Sequence, residues 1–358
     1  MKQAQTGDRL NAEVDRSLME GLRAALAPFA AWAQAPLLPL PDKGLAHLHI
    51  RLQGTGVLAR LPKQSQVGLP AHENLLHQQA CFERAAPSGH TPRLMGVLAP
   101  GPGLPRGALL VEDISGSPAA LPRDLDAIAR ALAAVHALPL PPPPRAPLRD
   151  AADPLQDLLE EISVQAAFMD AAGLDAVAAR HIQAELEVLR SAVGRVDRPP
   201  RSLIAFDAHP GNFLMRGAQD AVLVDLEKCR YSHAGLDLAH ATLYTSTTWD
   251  IASAAALSHG EVVAAQQRWL TQCAGGDAWS GWLAPLRSAM WLWSVSWCAK
   301  WRVLSASAAR AGGDGEDWSG EHSEAALVEH VRDRVDHYLS VQGVQRVLDE
   351  LAALAGAA

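Results

Sequence analysis

The stretch LIAFDAHPGNFLM, residues 203–215, places Asp207, His209 and Asn212 within six positions, between two apolar runs. A further acidic residue, Asp225, follows in the segment AVLVDLEK. Carboxylate and amide oxygens are the ligands that a hard cation such as Mg²⁺ prefers. Phosphoryl transfer needs one carboxylate that orients the acceptor hydroxyl and other oxygen ligands that hold magnesium on the nucleotide phosphates. These residue types therefore favour a phosphoryl-transfer site.

The local pattern predicts how these side chains come together. NFLM and AVLVDL read as two short strands joined by the polar RGAQD, and antiparallel pairing would bring Asp207, Asn212 and Asp225 to the same end of the hairpin. Two alternatives stay open. The polar residues could form only Asx-type turns of an ordinary hairpin. The same Asp–His–Asp cluster could also serve a metal-dependent hydrolase that needs no ATP.

The elements around this hairpin indicate an α+β protein with two lobes, because the first third is strand-rich and the rest is helix-rich. Alternation of polar and apolar residues predicts strands at 47–52 and 57–62 on either side of the turn QGTG. Helical periodicity is expected over 10–34, 72–86, 123–138 and 323–357. We place an N-lobe at 1–115 and a helical C-lobe, with the catalytic loop and acceptor site, at 116–358.

The order D-x-H-P-G-N…V-D-x-E…G-x-D-L-A resembles the aminoglycoside phosphotransferase and choline kinase superfamily, the small-molecule relatives of protein kinases. It is carried here by Asp207, His209, Pro210, Gly211, Asn212, Asp225, Glu227, Gly235, Asp237, Leu238 and Ala239. The resemblance implies a protein-kinase-like fold, with a five-stranded N-lobe over a helical C-lobe and ATP in the cleft. It implies Asp207 as the catalytic base and Asn212 and Asp225 as magnesium ligands. Glu227 would add a carboxylate near the metal or the acceptor, and Asp237 would brace the loop or cap the next helix.

The resemblance extends upstream of the hairpin, over roughly residues 40–245. VLARLPK resembles the family's third strand, which implies that Arg60, or Lys63 as the fallback, contacts the nucleotide phosphates. Glu73 would be the ion-pair partner of Arg60, and Gly44 in DKGLAH sits where a glycine loop covers the phosphates. LLVEDISG resembles the hinge, where the backbone of Glu112, Asp113 and Ile114 would hold adenine. The implied cofactors are ATP and Mg²⁺, and the implied activity is a small-molecule O-kinase.

One position departs from the family pattern. The family has a supporting His two residues before the catalytic Asp, followed by a small residue, as in HGD or HND. This chain has Ala205 and Phe206 there. Phe206 could fill the space of the missing side chain, which leaves a working enzyme. The alternative is a catalytically impaired pseudokinase that binds nucleotide and has a regulatory role.

A tryptophan-rich stretch, MWLWSVSWCAKWRVLS at 290–305, is the second unusual feature. Trp293, Trp297 and Trp301 recur every four residues, which places them on one stripe of a helix. Such a stripe usually packs in a core. Choline kinases carry a similar aromatic helix that binds a quaternary ammonium through cation–π attraction, so Trp293 and Trp297 are also candidate acceptor contacts.

Composition limits the remaining possibilities. The 358 residues carry a net charge of −8, which gives no electrostatic reason to expect nucleic acid or an anionic membrane as a partner. The four cysteines form no C-x-x-C pair, so neither a structural zinc site nor a disulfide framework is indicated. No signal-peptide pattern or apolar stretch of spanning length is present. We therefore expect a cytoplasmic protein whose partners are ATP and a small hydroxyl-bearing acceptor.

Overall fold

The computed structural model describes residues 16–41, 46–273, 276–279, 281–306 and 325–355. The described residues divide into two compact units. The first contains residues up to Glu83 and Pro92–Ile114, together with the start of a helix at Ala325. The second contains Arg84–Thr91, the chain from Ser115 to the end of the described range at 306, and the chain from His330. Within these ranges, every helix is too short or too polar to span a lipid bilayer.

The first unit is built on a five-stranded antiparallel sheet with the spatial order β1-β2-β3-β5-β4. Its strands are β1 (Leu37–Pro39), β2 (His47–Leu52), β3 (Val57–Pro62), β4 (Leu94–Leu98) and β5 (Ala108–Glu112). The predicted hairpin of β2 and β3 is confirmed, with Leu52 paired to Val57 across a turn in which Gly54 and Gly56 have positive φ. Glycine adopts such angles without the Cβ clash that other residues suffer.

Helix α1 covers residues 16–26 of this unit and buries Leu22 and Leu26 against the sheet core. The expected helix at 10–34 is therefore too long at its C-terminal end, and residues 10–15 lie outside the described range. Pro28 has no N–H to continue the helical ladder. The chain forms turns instead, in which the N–H of Phe29 donates to the carbonyl of Leu26. Helix α2 (Ala71–Ala85) follows β3 as expected.

The second unit is mainly helical and carries two small sheets. Strands β6 (Ser117–Pro118), β8 (Phe213–Gly217) and β9 (Asp220–Leu223) form one sheet, and β7 (Ser202–Ile204) pairs with β10 (Arg230–Ser232) in the other. The predicted hairpin is thus confirmed as β8 and β9, with Phe213 opposite Leu223. Its helices are α3 (Leu125–His136), α4 (Pro154–Ala166), α5 (Ala176–Val193), α6 (Gly235–His240), α7 (Tyr244–Thr247), α8 (His259–Gln272), α9 (Leu283–Ala306), α10 (Ala325–Tyr338) and α11 (Val341–Ala355).

Helix α9, which carries the tryptophans, lies at the centre of this unit and packs against α4, α5, α6 and α11. The expected single helix at 323–357 is instead two helices, because the chain turns at Leu339–Ser340. The Ser340 hydroxyl accepts a hydrogen bond from the Gly343 N–H, which satisfies a donor at the start of α11. A small sheet unit followed by a larger helical unit confirms the predicted α+β class.

Candidate active site

Asp207 lies in the loop between β7 and a 3₁₀ turn at Pro210–Asn212. Its carboxylate Oδ2 is 3.0 Å from the Lys228 ammonium, and its Oδ1 is 3.9 Å from Nδ1 of His240. Burial alone would raise the pKa of Asp207. The charge of Lys228, followed by the fields of His209 and His240, outweighs burial and lowers the pKa below its ordinary value. Asp207 is therefore an ionised carboxylate at neutral pH.

The loop before Asp207 is held by a buried carboxylate. Asp237, fully buried in α6, accepts hydrogen bonds from the backbone N–H of Ala205 at 2.7 Å and of Phe206 at 2.8 Å. His136 Nε2 lies 3.1 Å from the same carboxylate, and its Nδ1 is 2.9 Å from the indole nitrogen of Trp269. An indole N–H only donates, so Nδ1 must accept and Nε2 carries the proton toward Asp237. Asp237 thus braces the loop, one of the two roles that the family pattern implied, and it does not cap α6.

Phe206 is the one described non-glycine residue with positive φ, at 60°. This backbone region costs about 1–2 kcal/mol for a residue with a Cβ, which explains why a small residue suits the position. The ring of Phe206 is buried, packs edge-to-face on Trp293 with centroids 5.1 Å apart, and lies 3.6 Å below the guanidinium of Arg230. The ring of Phe206 is therefore held by Trp293 and Arg230, and these contacts offset the backbone strain.

Asn212, Asp225 and Glu227 offer side-chain oxygen atoms suited to a divalent cation. The side-chain amide of Asn212 donates to the carbonyl of Asp207 at 2.8 Å, which directs its oxygen away from that carbonyl. The carbonyl of Asn212 accepts from the N–H of Val224, so the residue is tied to the chain just before Asp225. A carboxylate oxygen of Asp225 lies within 4.8 Å of one of Glu227. These donors are the hard oxygen ligands that Mg²⁺ takes, so the residues present fit that ion.

Two histidines and a glycine pack closely around the loop of Asp207. The rings of His209 and His240 lie edge-to-face at 6.0 Å, and burial lowers the pKa of His240 to about 4, so its ring is neutral at pH 7. Gly211 has no room for a side chain, because a Cβ there would lie 2.6 Å from Cβ of Asp250 and 2.8 Å from Cε1 of His209. The glycine of HPGN is therefore required by close packing.

Arg60, the expected phosphate contact, lies on β3 and is 4% exposed. Its guanidinium stands 5.5 Å from the ring centroid of Phe82, and its Nη2 is 3.4 Å from Nδ1 of His47. The Nε2 of His47 is in turn 3.1 Å from the amide oxygen of Gln78 on α2. Because Arg only donates, this order makes His47 accept from Arg60 and donate to Gln78. The fallback, Lys63, is half-buried one residue beyond the end of β3.

The expected ion pair between Arg60 and Glu73 is not formed. Glu73 is exposed in the first turn of α2, and in the described part of the chain it makes no ion pair. The buried side of α2 carries Asn74, Gln78 and Phe82, and Glu73 lies off this side. From this side Phe82 lies against the Arg60 guanidinium, and the amide of Gln78 contacts His47. The predicted glycine-loop residue Gly44 lies outside the described residues.

The hinge candidates follow the end of β5. The N–H of Glu112 donates to the carbonyl of Arg93, and the N–H of Asp113 donates to the carbonyl of Gly56. The carboxylate of Asp113 also forms a two-point ion pair with Arg51. Ile114 is 7% exposed, and its N–H donates to no other described residue. Of these three residues, Glu112 and Asp113 therefore already use their backbone N–H groups within the first unit.

Trp293 and Trp297 occupy different surroundings on α9. Trp293 is 6% exposed, donates its indole N–H to Glu161 at 2.7 Å, and lies with its ring centroid 5.4 Å from the Lys228 ammonium. Trp297 is half-buried and packs edge-to-face on Trp249 at 5.7 Å. Trp293 thus shares a neighbour, Lys228, with Asp207.

Sequence reasoning did not single out Lys228, His136 or Glu161. Lys228 directly follows Glu227 in the acidic motif, so a positive charge beside the motif was a visible signal. His136 ends the predicted helix at 123–138, but its pairing with Asp237 spans 101 positions and leaves no local trace.

Comparison with known proteins agrees with this geometry. Residues 50–271, more than half of the chain, match the sequence model of the phosphotransferase enzyme family, named APH, and the chain belongs to this family. No curated protein matches the chain in sequence.

Solved structures show the same fold. A choline kinase from Cryptosporidium parvum Iowa II superposes with a TM-score of 0.60 at 12% identity, over 94% of this chain and 99% of that one. A choline/ethanolamine kinase family protein from Mesorhizobium loti gives 0.56 at 17% identity, over 94% and 98%. The GDP complex of aminoglycoside 2′-phosphotransferase-IIIa gives 0.57 at 14% identity, over 87% and 97%. The predicted superfamily and its protein-kinase-like fold are confirmed.

Proposed function

We propose that this chain is an ATP- and Mg²⁺-dependent phosphotransferase that acts on a hydroxyl group of a small molecule. The observation that carries the proposal is the loop of Asp207. An ionised carboxylate stands on a backbone braced by Asp237, and Asn212, Asp225 and Glu227 supply oxygen donors beside it. Membership of the phosphotransferase enzyme family supports the same reaction class.

In this reaction Asp207 accepts a hydrogen bond from the acceptor hydroxyl and points its oxygen at the γ-phosphorus. The new bond joins the acceptor oxygen to phosphorus, the bond to the leaving oxygen of ADP breaks, and the acceptor proton passes to the carboxylate. Since the pKa of Asp207 is below its ordinary value, this group is a weak base. That suits the loose transition state of phosphoryl transfer, in which orientation matters more than early deprotonation.

Magnesium, when bound, would neutralise charge on the transferring phosphate. Asn212 and Asp225 would hold it, with Glu227 as a further carboxylate. Arg60 would contact the nucleotide phosphates, and Ile114 offers its backbone N–H for a base. Because one structural relative was solved with GDP, both ATP and GTP are to be tested as donors.

The test is transfer of labelled phosphate from the γ-position of ATP to a panel of hydroxyl compounds, with and without a chelator. We expect Asp207→Asn to lower turnover by at least about a thousandfold, with nucleotide-induced thermal stabilisation retained. Asp220→Asn is the matched control, because Asp220 is a half-exposed acid of the same hairpin that pairs with Arg216. Turnover of Asp207→Asn at the rate of the wild type would refute the role of Asp207. Metal-dependent hydrolysis of a compound of the panel without any nucleotide would favour the metal-dependent hydrolase.

The pseudokinase alternative rests on Ala205, which replaces the family's supporting His, and on the single glycine of DKGLAH. Two observations weigh against it. Asp237 holds the backbone at Ala205 and Phe206, and the ring of Phe206 is packed on Trp293. Magnesium-dependent thermal stabilisation by ATP, with no turnover on any acceptor, would favour the pseudokinase.

A further inference from the structure

The acceptor side of Asp207 already contains positive charge. The Lys228 ammonium is 3.0 Å from the carboxylate of Asp207, the proposed base, and 5.4 Å from the ring centroid of Trp293. It therefore neighbours both the carboxylate and the aromatic ring. Its side chain is 10% exposed, which fixes the charge in place. A cation over a tryptophan face is the arrangement by which proteins bind quaternary ammonium ligands. Here the protein's own lysine takes that position.

The ring of Phe206, the second aromatic ring near the loop, also lies against a cation of the protein. The guanidinium of Arg230 lies 3.6 Å from the ring centroid of Phe206 and donates to Glu161 at 2.8 Å. Glu161 also accepts from Arg149 at 3.0 Å and from the indole of Trp293 at 2.7 Å. The carboxylate of Glu161 is thus compensated by two guanidinium groups. Lys228 beside Trp293 and Arg230 beside Phe206 therefore each place a cation of the protein itself on an aromatic ring.

Geometry then limits the acceptor. In a compound such as choline the nitrogen is three bonds from the hydroxyl oxygen, so it would lie within about 4 Å of the atom that Asp207 binds. The Lys228 ammonium is 3.0 Å from the Asp207 carboxylate. Two unit positive charges about 4 Å apart repel enough to weaken binding between about fivefold in water and several hundredfold at a protein surface, and the negative charge of Asp207 offsets part of this repulsion.

We propose that Lys228 determines acceptor specificity by occupying the cation position beside Asp207, so that the acceptor is a hydroxyl compound whose neighbouring carbon carries no positive charge. This inference rests on the proposed function, since it assigns the acceptor to the site of Asp207. It favours neutral or anionic alcohols and disfavours choline and other β-amino alcohols.

The test is equilibrium binding, which requires no turnover. Choline and its neutral isostere 3,3-dimethylbutan-1-ol, which has carbon in place of the charged nitrogen, are titrated against the protein by tryptophan fluorescence and calorimetry. We expect the wild type to bind the isostere at least about tenfold more tightly than choline. Lys228→Met should gain at least about tenfold in choline affinity, and adding Trp293→Leu should remove that gain.

Two variants serve as controls. Lys228→Arg keeps the charge and should still reject choline, and Lys300→Met removes a lysine on α9 and should resemble the wild type. If Lys228→Met does not fold, the order of the two ligands in the wild type and in Lys228→Arg decides the question. Choline binding by the wild type as tight as that of the isostere would overturn the proposal, and so would equal choline affinities of the wild type and Lys228→Met. If transfer activity is never found, the proposed function fails while these binding results stand.

Discussion

Replacing Asp237 by Asn tests whether the loop of Asp207 depends on a buried carboxylate. Asp237 accepts three hydrogen bonds: Ala205 N–H and His136 lie on Oδ2, and Phe206 N–H lies on Oδ1. An Asn has one oxygen. The side-chain amide keeps most hydrogen bonds when its oxygen takes the Oδ2 position, where it still accepts from Ala205 and His136. The NH₂ group then faces the N–H of Phe206, so this buried donor loses its acceptor.

The magnitude follows from these contacts. An unsatisfied buried donor costs about 1–3 kcal/mol, and each remaining bond loses the advantage of a charged acceptor, about 0.5–1.5 kcal/mol. The expected loss in free energy of unfolding is therefore about 2–6 kcal/mol. With a urea slope of about 2–3 kcal/mol per molar, the unfolding midpoint should fall by about 0.7–3 M.

Urea unfolding followed by tryptophan fluorescence measures this loss, because eight of the ten tryptophans lie between Trp249 and Trp301 in the second unit. Asp220→Asn is again the control, since a half-exposed ion pair with Arg216 contributes about 0–1 kcal/mol. A midpoint of Asp237→Asn within about 0.2 M of the wild type would refute the bracing argument. The transfer activity of Asp237→Asn should also be lower than that of the wild type.

Two further predictions concern the neighbours of Asp207. Phe206→Ala should destabilise the protein by about 3–5 kcal/mol through loss of a buried ring. Phe206→Gly should be about 1 kcal/mol less harmful, because glycine tolerates the positive φ; the reverse order of urea midpoints would contradict the strain argument. In the folded protein the pKa of His240 is about 4, below its ordinary 6.5. The unfolded chain therefore takes up a proton at this residue before the folded protein does, so the free energy of unfolding is highest above pH 6.5 and falls as the pH falls to about 4. That loss is up to about 3 kcal/mol. His240→Gln should flatten the fall of stability with pH in this window, measured by urea midpoints from pH 4.5 to 7.5, and equal slopes in both proteins would contradict it.

Local patterns predicted most of the secondary structure near the site. Alternation identified the β2–β3 hairpin, and the two apolar runs around RGAQD identified β8 and β9. Both are short-range pairings in which the turn sets the register, so neighbouring residues contain enough information. The N-terminal helix was predicted to continue to residue 34, but the missing N–H of Pro28 ends the hydrogen-bond ladder earlier.

Pairings between distant elements were harder to predict. The family pattern implied that Glu73 on α2 pairs with Arg60, but that pairing depends on which side of the helix is buried. The tertiary packing turned Gln78 and Phe82 inward and left Glu73 in solvent. The rotation of the helix about its axis, which the sequence alone does not specify, kept the Glu73 carboxylate away from the guanidinium.

The sequence by itself determined the chemistry available: the order of Asp207, Asn212, Asp225 and Glu227 on a hairpin, and with it the phosphotransferase family. Only the tertiary structure decided how that chemistry is supported. Asp237 reaches the loop from 32 positions away, Trp269 orients His136 across 133, and Trp293 meets Glu161 across 132. The tertiary structure also placed Lys228 against Asp207, which keeps the acid ionised. Electrostatic and hydrogen-bond energies depend on distance and burial, and separation along the chain specifies neither.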